Sequence, residues 1–275
     1  MGKFMRTWSL IGECWQVLKA DKSLLVFPLI SGICCILLLL SFALPIYATG
    51  AWHLPDHNAG PVRQYMYFIT LFAFYVANYF IVVFFNAAIV ACAAIRLSGG
   101  TPTIGDGLRA ASARLPVIAG WALVSATVGL ILRIIEDRSD KVGEIVAGLL
   151  GMAWTVISFL VVPILVLEGK GPIAALKDST GMLKQTWGEQ LISNFSFGTI
   201  FSVLSLPAFA LIFLGFYLGG AAVGITCAVF AVFYLIALSL VHSALQAIFQ
   251  TALYLYARDG QVQGFRTEVL QDAMG

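Results

Sequence analysis

Residues 24–48 read LLVFPLISGICCILLLLSFALPIYA, a run that contains no charged side chain. A helix of roughly 20 apolar residues crosses the hydrocarbon core of a bilayer, so this run predicts a membrane-spanning helix. The run is too long for the apolar part of a cleaved signal sequence, and no small-x-small cleavage site follows it. We therefore expect it to be retained as the first span.

Similar segments recur along the whole chain, in which 60% of the residues are hydrophobic and only 11% are charged. A water-soluble fold could not bury that much apolar surface. Six spans are predicted, over residues 24–48, 65–97, 115–135, 145–167, 190–218 and 221–256. Residues 190–257 could also hold three shorter spans, although a hinge at Gly219-Gly220 favours two long ones.

A short amphipathic helix is predicted before each pair of spans. Its apolar stripe follows steps of three and four residues, which place the stripe on one helix face. The three stripes are Trp8, Ile11, Trp15, Leu18; then Ile104, Leu108, Ala111, Leu115; then Ile173, Leu176, Thr180, Leu183, Trp187. Tryptophans beside basic residues are typical of helices that lie in the headgroup region, so we expect interfacial anchors here. The predicted anchors are Trp8, Trp15, Trp187, Lys19, Arg109, Arg114, Lys177 and Lys184.

These patterns predict an all-α integral membrane protein with a single membrane domain over residues 1–275. It consists of three parallel repeats of an interfacial helix and a hairpin, at about 4–97, 102–168 and 172–257, with a tail at 258–275. Most of the 16 basic residues fall on one side of the six predicted spans. The positive-inside rule then places both termini and all three amphipathic helices in the cytoplasm.

The sequence offers little for catalysis. His53, Asp56 and His57 could share a metal ion if they lay on one helix, but Pro55 disfavours that helix and a solvated loop is favoured. The segment 169–172 reads GKGP and lacks the spacing of a phosphate loop. We expect no enzymatic activity, no metal site and no cofactor. The net charge of +2 is too small to indicate nucleic-acid binding.

Polar residues inside the predicted spans are more informative, because each needs a hydrogen-bond partner within the membrane. Asn78 and Asn86 fall on the second span, and His242, Gln246 and Gln250 fall on the sixth. They form either interhelical hydrogen bonds or a polar seam that lines a substrate path. The sequence favours an accessory or scaffold protein, which docks a partner or lipid through the interfacial helices. The alternative is a transporter of a small solute or lipid.

Several stretches together resemble a family of uncharacterised prokaryotic membrane proteins, the domain-of-unknown-function family 6159. They include Trp8-Ser9-Leu10, Ser125-Ala126-Thr127, Val161-Val162-Pro163, Gly171-Pro172-Ile173, Thr186-Trp187-Gly188-Glu189 and Ala252-Leu253-Tyr254. The resemblance covers nearly the whole chain and implies a multi-span protein of the bacterial inner membrane. The expected partners of the protein are membrane lipids, together with a membrane-protein complex or a second copy of the same chain. Residues 171–179 are more weakly similar to the membrane domains of some glycerophosphodiester phosphodiesterases.

Overall fold

The computed structural model describes residues 3–48, 61–138, 141–187 and 197–260. These residues form nine α-helices and one 3-10 turn and contain no β-strand, which confirms the all-α prediction for the described chain. The elements are α1 (Lys3–Ala20), the 3-10 turn (Lys22–Leu25), α2 (Val26–Ala48), α3 (Pro61–Leu97), α4 (Ile104–Ala113), α5 (Leu115–Arg138), α6 (Lys141–Ile157), α7 (Val161–Leu167), α8 (Pro172–Trp187) and α9 (Phe197–Asp259).

Five described segments are long and apolar enough to cross a membrane. They are Lys22–Tyr47, Tyr65–Leu97, Leu115–Glu136, Gly143–Leu167 and Gly198–Asp259. The first four match the first four predicted spans closely. The last is a single segment that overlaps both remaining predicted spans, and it corresponds to one element, α9.

The last segment nevertheless folds back on itself at Gly220, whose φ of 68° and ψ of −168° are not helical. Glycine is the residue that adopts a positive φ without strain. The Tyr234 hydroxyl donates a hydrogen bond to the Leu204 carbonyl at 2.8 Å, and the rings of Phe201 and His242 lie 4.4 Å apart. Each pair joins residues at similar distances on either side of Gly220. The two arms, 197–219 and 221–259, therefore pack antiparallel.

The buried core is concentrated at one end of the molecule, where α3, α7 and the second arm of α9 contact one another. Its fully buried side chains come mainly from residues 87–93, 161–166 and 244–255. Helices α1, α4 and α8 cover this end, and we call them the stripe-helix layer. In this layer α4 packs against α3, α8 packs mainly against α7, and α1 packs against α9. Elsewhere the hairpins expose apolar side chains, as lipid-facing helices do.

The faces that the layer buries are offset from the predicted stripes. Helix α1 buries Leu10, Cys14 and Val17 together with Leu18, whereas Trp15 is 39% exposed. The reason is that the aliphatic side chains of α1 fit the close-packed core, while the large indole ring lies at the edge. In α8, likewise, Ile173 is exposed although Leu183 is buried.

Two small residues, Gly107 and Ser179, allow the layer to pack closely on the membrane-spanning helices. Gly107 of α4 faces α3, and a Cβ atom there would lie 2.7 Å from Cys92 Sγ and 2.8 Å from the Ala88 carbonyl oxygen. Ser179 of α8 is fully buried at the break between α6 and α7. Its hydroxyl donates to the Ile157 carbonyl at 2.7 Å and accepts from the Leu160 N–H at 3.2 Å. Ser179 thereby satisfies backbone groups that the helix break leaves without intrahelical partners.

Candidate functional site

A polar cavity lies between α2, α3 and the second arm of α9, and we call it the seam cavity. Its volume is about 260 Å³, large enough to contain water or a small solute. Asn86 of α3 and Gln246 and Gln250 of α9 line it, together with Ser31 and Ser243. No charged side chain is among the described residues that line this cavity. The site is therefore built to form hydrogen bonds without binding an ion through a formal charge.

Gln250 has the most unusual environment in the seam cavity. Its side chain is only 8% exposed, and its Oε1 atom has no hydrogen-bond partner within the described structure. An unsatisfied buried acceptor costs about 1–3 kcal/mol of stability. This oxygen is itself enclosed, so a donor group in the cavity would reach it only after the Gln250 side chain turned toward the cavity.

The structure brings together three of the five polar residues that the sequence singled out. Asn86, Gln246 and Gln250 line the seam cavity, whereas Asn78 and His242 do not. His242 packs against the Phe201 ring of the first arm instead. Asn78 is half-buried on α3, about two helical turns further from the stripe-helix layer than Asn86.

Two residues of the cavity were missed by the sequence analysis. Ser243 precedes Gln246 by three positions, so the same helical periodicity could have identified it. Ser31 comes from α2, and the sequence of that helix contains no polar pattern that would pair it with α9. Only the packing of the helices reveals the contribution of Ser31.

The predicted interfacial anchors have different surroundings. Trp15 and Lys19 lie on the exposed side of α1, with the Lys19 ammonium 5.6 Å from the centre of the Trp15 ring. Arg109 and Lys177 are exposed on α4 and α8. The side chains of Trp8, Lys184 and Trp187 lie outside the described residues, as does the cluster of His53, Asp56 and His57.

Arg114, another predicted anchor, forms its contacts with other helices of the protein. Its Nε donates to the Val166 carbonyl at 3.2 Å, and its guanidinium packs over the backbone of Gly169. Gly169 has a φ of +70°, and a Cβ atom at this position would overlap the guanidinium. Arg114 thus joins the start of α5 to the end of α7.

A second polar cluster, also missed from the sequence, joins α7, α8 and α9 near the stripe-helix layer. Lys170 contacts Glu168 at 2.6 Å and Asp178 at 2.7 Å. Tyr254 donates to Glu168 at 2.7 Å, and Arg258 donates to the Tyr254 hydroxyl at 3.4 Å. The cluster links the end of α7 to α8 and α9, so it helps to hold these three helices together.

The charges in this cluster stabilise one another. Burial alone raises the pKa of Glu168, but the hydrogen bonds from Lys170 and Tyr254, together with the Lys170 charge, outweigh burial and hold that pKa below its ordinary value. Hydrogen bonds to Asp178 and Glu168 raise the pKa of Lys170 above its ordinary value. Both groups therefore stay charged near neutral pH, and their ion pair helps to hold α7 and α8 together.

Metal and thiol chemistry have few candidate residues in the described chain. Among those residues, no group of three or more His, Cys, Asp and Glu side chains is placed to hold a metal ion. Cys14 is fully buried, and burial followed by the nearby charge of Glu13 raises the pKa of its thiol strongly. The thiol of Cys14 is consequently protonated and unreactive at neutral pH.

The model of the family of unknown function DUF6159 matches residues 65–265 of this chain, which is most of its length. The chain belongs to this family. The match confirms the family resemblance stated above, and it brings no activity with it. No curated protein matches the chain. The weaker resemblance to glycerophosphodiester phosphodiesterase membrane domains stays a prediction.

The DUF6159 match also divides the features of the structure into two groups. Asn86, Gln246 and Gln250 fall inside the matched range, and so does the Glu168 cluster. Trp15 and Lys19 on α1 fall before its first residue. The seam cavity thus combines α3 and α9, which belong to the matched DUF6159 region, with α2, which precedes it.

Proposed function

We propose that this protein binds a small, polar, uncharged solute in the seam cavity and moves it across the bacterial inner membrane. The observation that carries this proposal is the set of three amide side chains, Asn86, Gln246 and Gln250, that line a cavity of about 260 Å³ with no charged residue among its described lining. The amides of Asn86 on α3 and of Gln246 on α9 supply both donors and acceptors around the cavity. Amide groups without a charged neighbour favour neutral ligands that carry hydroxyl or amide groups.

The proposal includes a six-span topology of three repeats, with both termini in the cytoplasm. The order of the elements supports it, because α1 and α4 each precede two long apolar segments and α8 precedes one long segment that folds back at Gly220. The antiparallel arms of α9 support it as well, and so do the contacts of α4 with α3, of α8 with α7 and of α1 with α9. An impermeant thiol reagent should therefore label Ala221→Cys from outside intact cells. Labelling of this variant only in opened cells would contradict the topology.

The proposal includes no catalytic step. The described residues that line the seam cavity include neither a nucleophile paired with a base nor an acidic group, and their amides and hydroxyls supply only binding and orientation. Any reaction of the solute would need groups from elsewhere, so we assign the protein to the non-enzymatic class.

Cysteine accessibility tests the solute path directly. In a variant whose five cysteines are replaced by alanine, Asn86→Cys and Gln246→Cys should react with a small, water-soluble methanethiosulfonate reagent. Val232→Cys, which faces lipid, serves as the unreactive control, and Ser112→Cys on the exposed side of α4 serves as the reactive control. If both cavity variants are as inert as the Val232 control, the seam is dry and the transport proposal fails.

A second candidate function is the accessory or scaffold role that the sequence favours. It is supported by apolar side chains that the stripe-helix layer leaves exposed, Trp15 at 39% and Ile173 at 67%. Such side chains suit contact with another membrane protein, with a second copy or with lipid. Purification from native membranes in mild detergent should then retain a stoichiometric partner, and Ile173→Ser should release it. A chain that always migrates alone would contradict this role.

A further inference from the structure

We propose that the groove between α1 and the first span binds the headgroup of an anionic phospholipid. The groove has a volume of about 450 Å³ and is lined by Trp15, Leu18, Lys19, Lys22 and Leu25. This inference does not depend on the seam cavity, with which the groove shares no lining residue.

The charge of the groove favours an anion. Lys19 and Lys22 both carry exposed side chains, and neither forms a salt bridge with a carboxylate in the described part of the chain. Asp21 lies between them in sequence, but its carboxylate caps the 3-10 turn by accepting from the backbone and hydroxyl of Ser23. Two lysines at one groove therefore remain available for a phosphate group.

The shape of the groove favours a lipid over a free anion. Leu18 is buried at its base, and the Trp15 ring covers one side while contacting the Lys19 ammonium. An amphipathic ring beside lysines is suited to the level of the headgroups, where apolar and polar surfaces meet. A hydrated inorganic phosphate would gain nothing from these apolar walls.

An acyl chain has a continuous surface to follow from the groove into the membrane. Leu29, Ile33, Ile36 and Leu40 of α2 follow Leu25 in steps of three or four residues, which keeps them on one helix face. These four side chains are 46%, 50%, 59% and 45% exposed, so no other described part of the protein covers this track. The headgroup site and the apolar track together match one phospholipid molecule.

Native mass spectrometry of the full chain in dodecyl maltoside tests the inference. The probes are phosphatidylglycerol and phosphatidylcholine with the same acyl chains, and inorganic phosphate is added as a competitor. The double variant K19Q/K22Q should bind phosphatidylglycerol about 25-fold more weakly, from roughly fivefold for each lysine near an anionic headgroup. K19R/K22R should retain binding because it keeps both charges, and the affinity for phosphatidylcholine should not change.

The matched control is R109Q/K177Q, which removes two exposed cations from other helices of the same layer. It should leave phosphatidylglycerol binding within about twofold of the unmodified chain, because solvent and salt screen the attraction between distant charges and the headgroup. An equal loss in the control would show diffuse attraction and overturn a specific site. Equal affinity for the two lipids, or displacement by millimolar phosphate, would overturn the lipid assignment.

Discussion

Replacing Gly107 by alanine should loosen the contact between α4 and α3. The added Cβ would lie 2.7 Å from Cys92 Sγ and 2.8 Å from both the Ala88 carbonyl oxygen and the Phe27 ring. Cβ atoms in proteins essentially never lie within 3.0 Å of such neighbours, so a neighbouring side chain or the backbone of α3 must shift. Cys92 and Phe27 are completely buried, and the Ala88 oxygen belongs to the backbone of α3, so the strain is not relieved by a side chain turning into solvent.

The size of the effect follows from two opposing contributions. Overpacking a closed contact costs about 1–3 kcal/mol, and the crowded surroundings favour the upper part of that range. Alanine instead of glycine in a helix returns up to about 1 kcal/mol. We therefore expect Gly107→Ala to lower the free energy of unfolding by about 1–2 kcal/mol.

Gly105 on the same helix provides the matched control, because its nearest neighbour would be Thr103 Oγ1 at 3.6 Å, an ordinary contact. Gly105→Ala should be neutral or slightly stabilising, so the two variants should differ by about 2 kcal/mol. Titration with sodium dodecyl sulfate in mixed micelles, followed by tryptophan fluorescence, measures that difference. If Gly107→Ala resists the denaturant as well as Gly105→Ala does, α4 does not approach α3 as described, and the reasoning is refuted.

Three further predictions concern Ser179, Gly169 and Glu168, which lie in or next to α7 and α8. Ser179→Ala should lower the free energy of unfolding by about 1–3 kcal/mol in the same titration, because it leaves buried backbone groups unsatisfied. Gly169→Ala should cost at least about 1 kcal/mol, since it combines a positive φ with overlap on Arg114, and Arg114→Ala should relieve only the overlap. Because the folded pKa of Glu168 lies below its ordinary value of 4.5, its stabilisation is present above that value and is lost as the pH falls through the folded pKa. Thermal unfolding of E168Q should therefore depend less on pH in acid; an unchanged acid dependence would contradict the paired state of this carboxylate.

The membrane helices could be predicted from the sequence because long apolar runs leave few structural options in lipid. The hinge at Gly220 was also predictable, since glycine pairs interrupt helices. The number of spans over residues 190–257 could not be derived from apolar length alone. The antiparallel arms depend on contacts such as that of Tyr234 with Leu204, which lie far apart in sequence.

The seam cavity was predictable in part, for a geometric reason. Residues four apart on a helix are rotated by about 40° from each other, so Gln246 and Gln250 share a face while His242 begins to turn away. In the structure His242 faces the first arm of α9, where Phe201 packs against it. Asn78 is too far along the helix axis from Asn86 to border the same cavity. A periodic pattern thus identifies a face, and the neighbouring helices decide where along that face a cavity forms.

The polar contacts near the stripe-helix layer were beyond sequence reasoning. Arg114 bonds to Val166 and Tyr254 bonds to Glu168, and both pairs bridge different elements of the fold. A basic residue beside an apolar stripe has the same sequence pattern whether it contacts lipid headgroups or a carbonyl of another helix. Only the packing of α7 against α8 and α9 distinguishes these two outcomes.

The position of α3 has a consequence for how the chain is assembled during synthesis. This helix contacts α2, α4, α5, α7 and α9, so it is a common neighbour of helices from the start, middle and end of the chain. A ribosome makes the chain from its N-terminus, and α3 therefore enters the membrane before most of its partners exist. Each later hairpin then docks on a helix that is already in place. The fold can grow by addition, without the rearrangement of earlier spans.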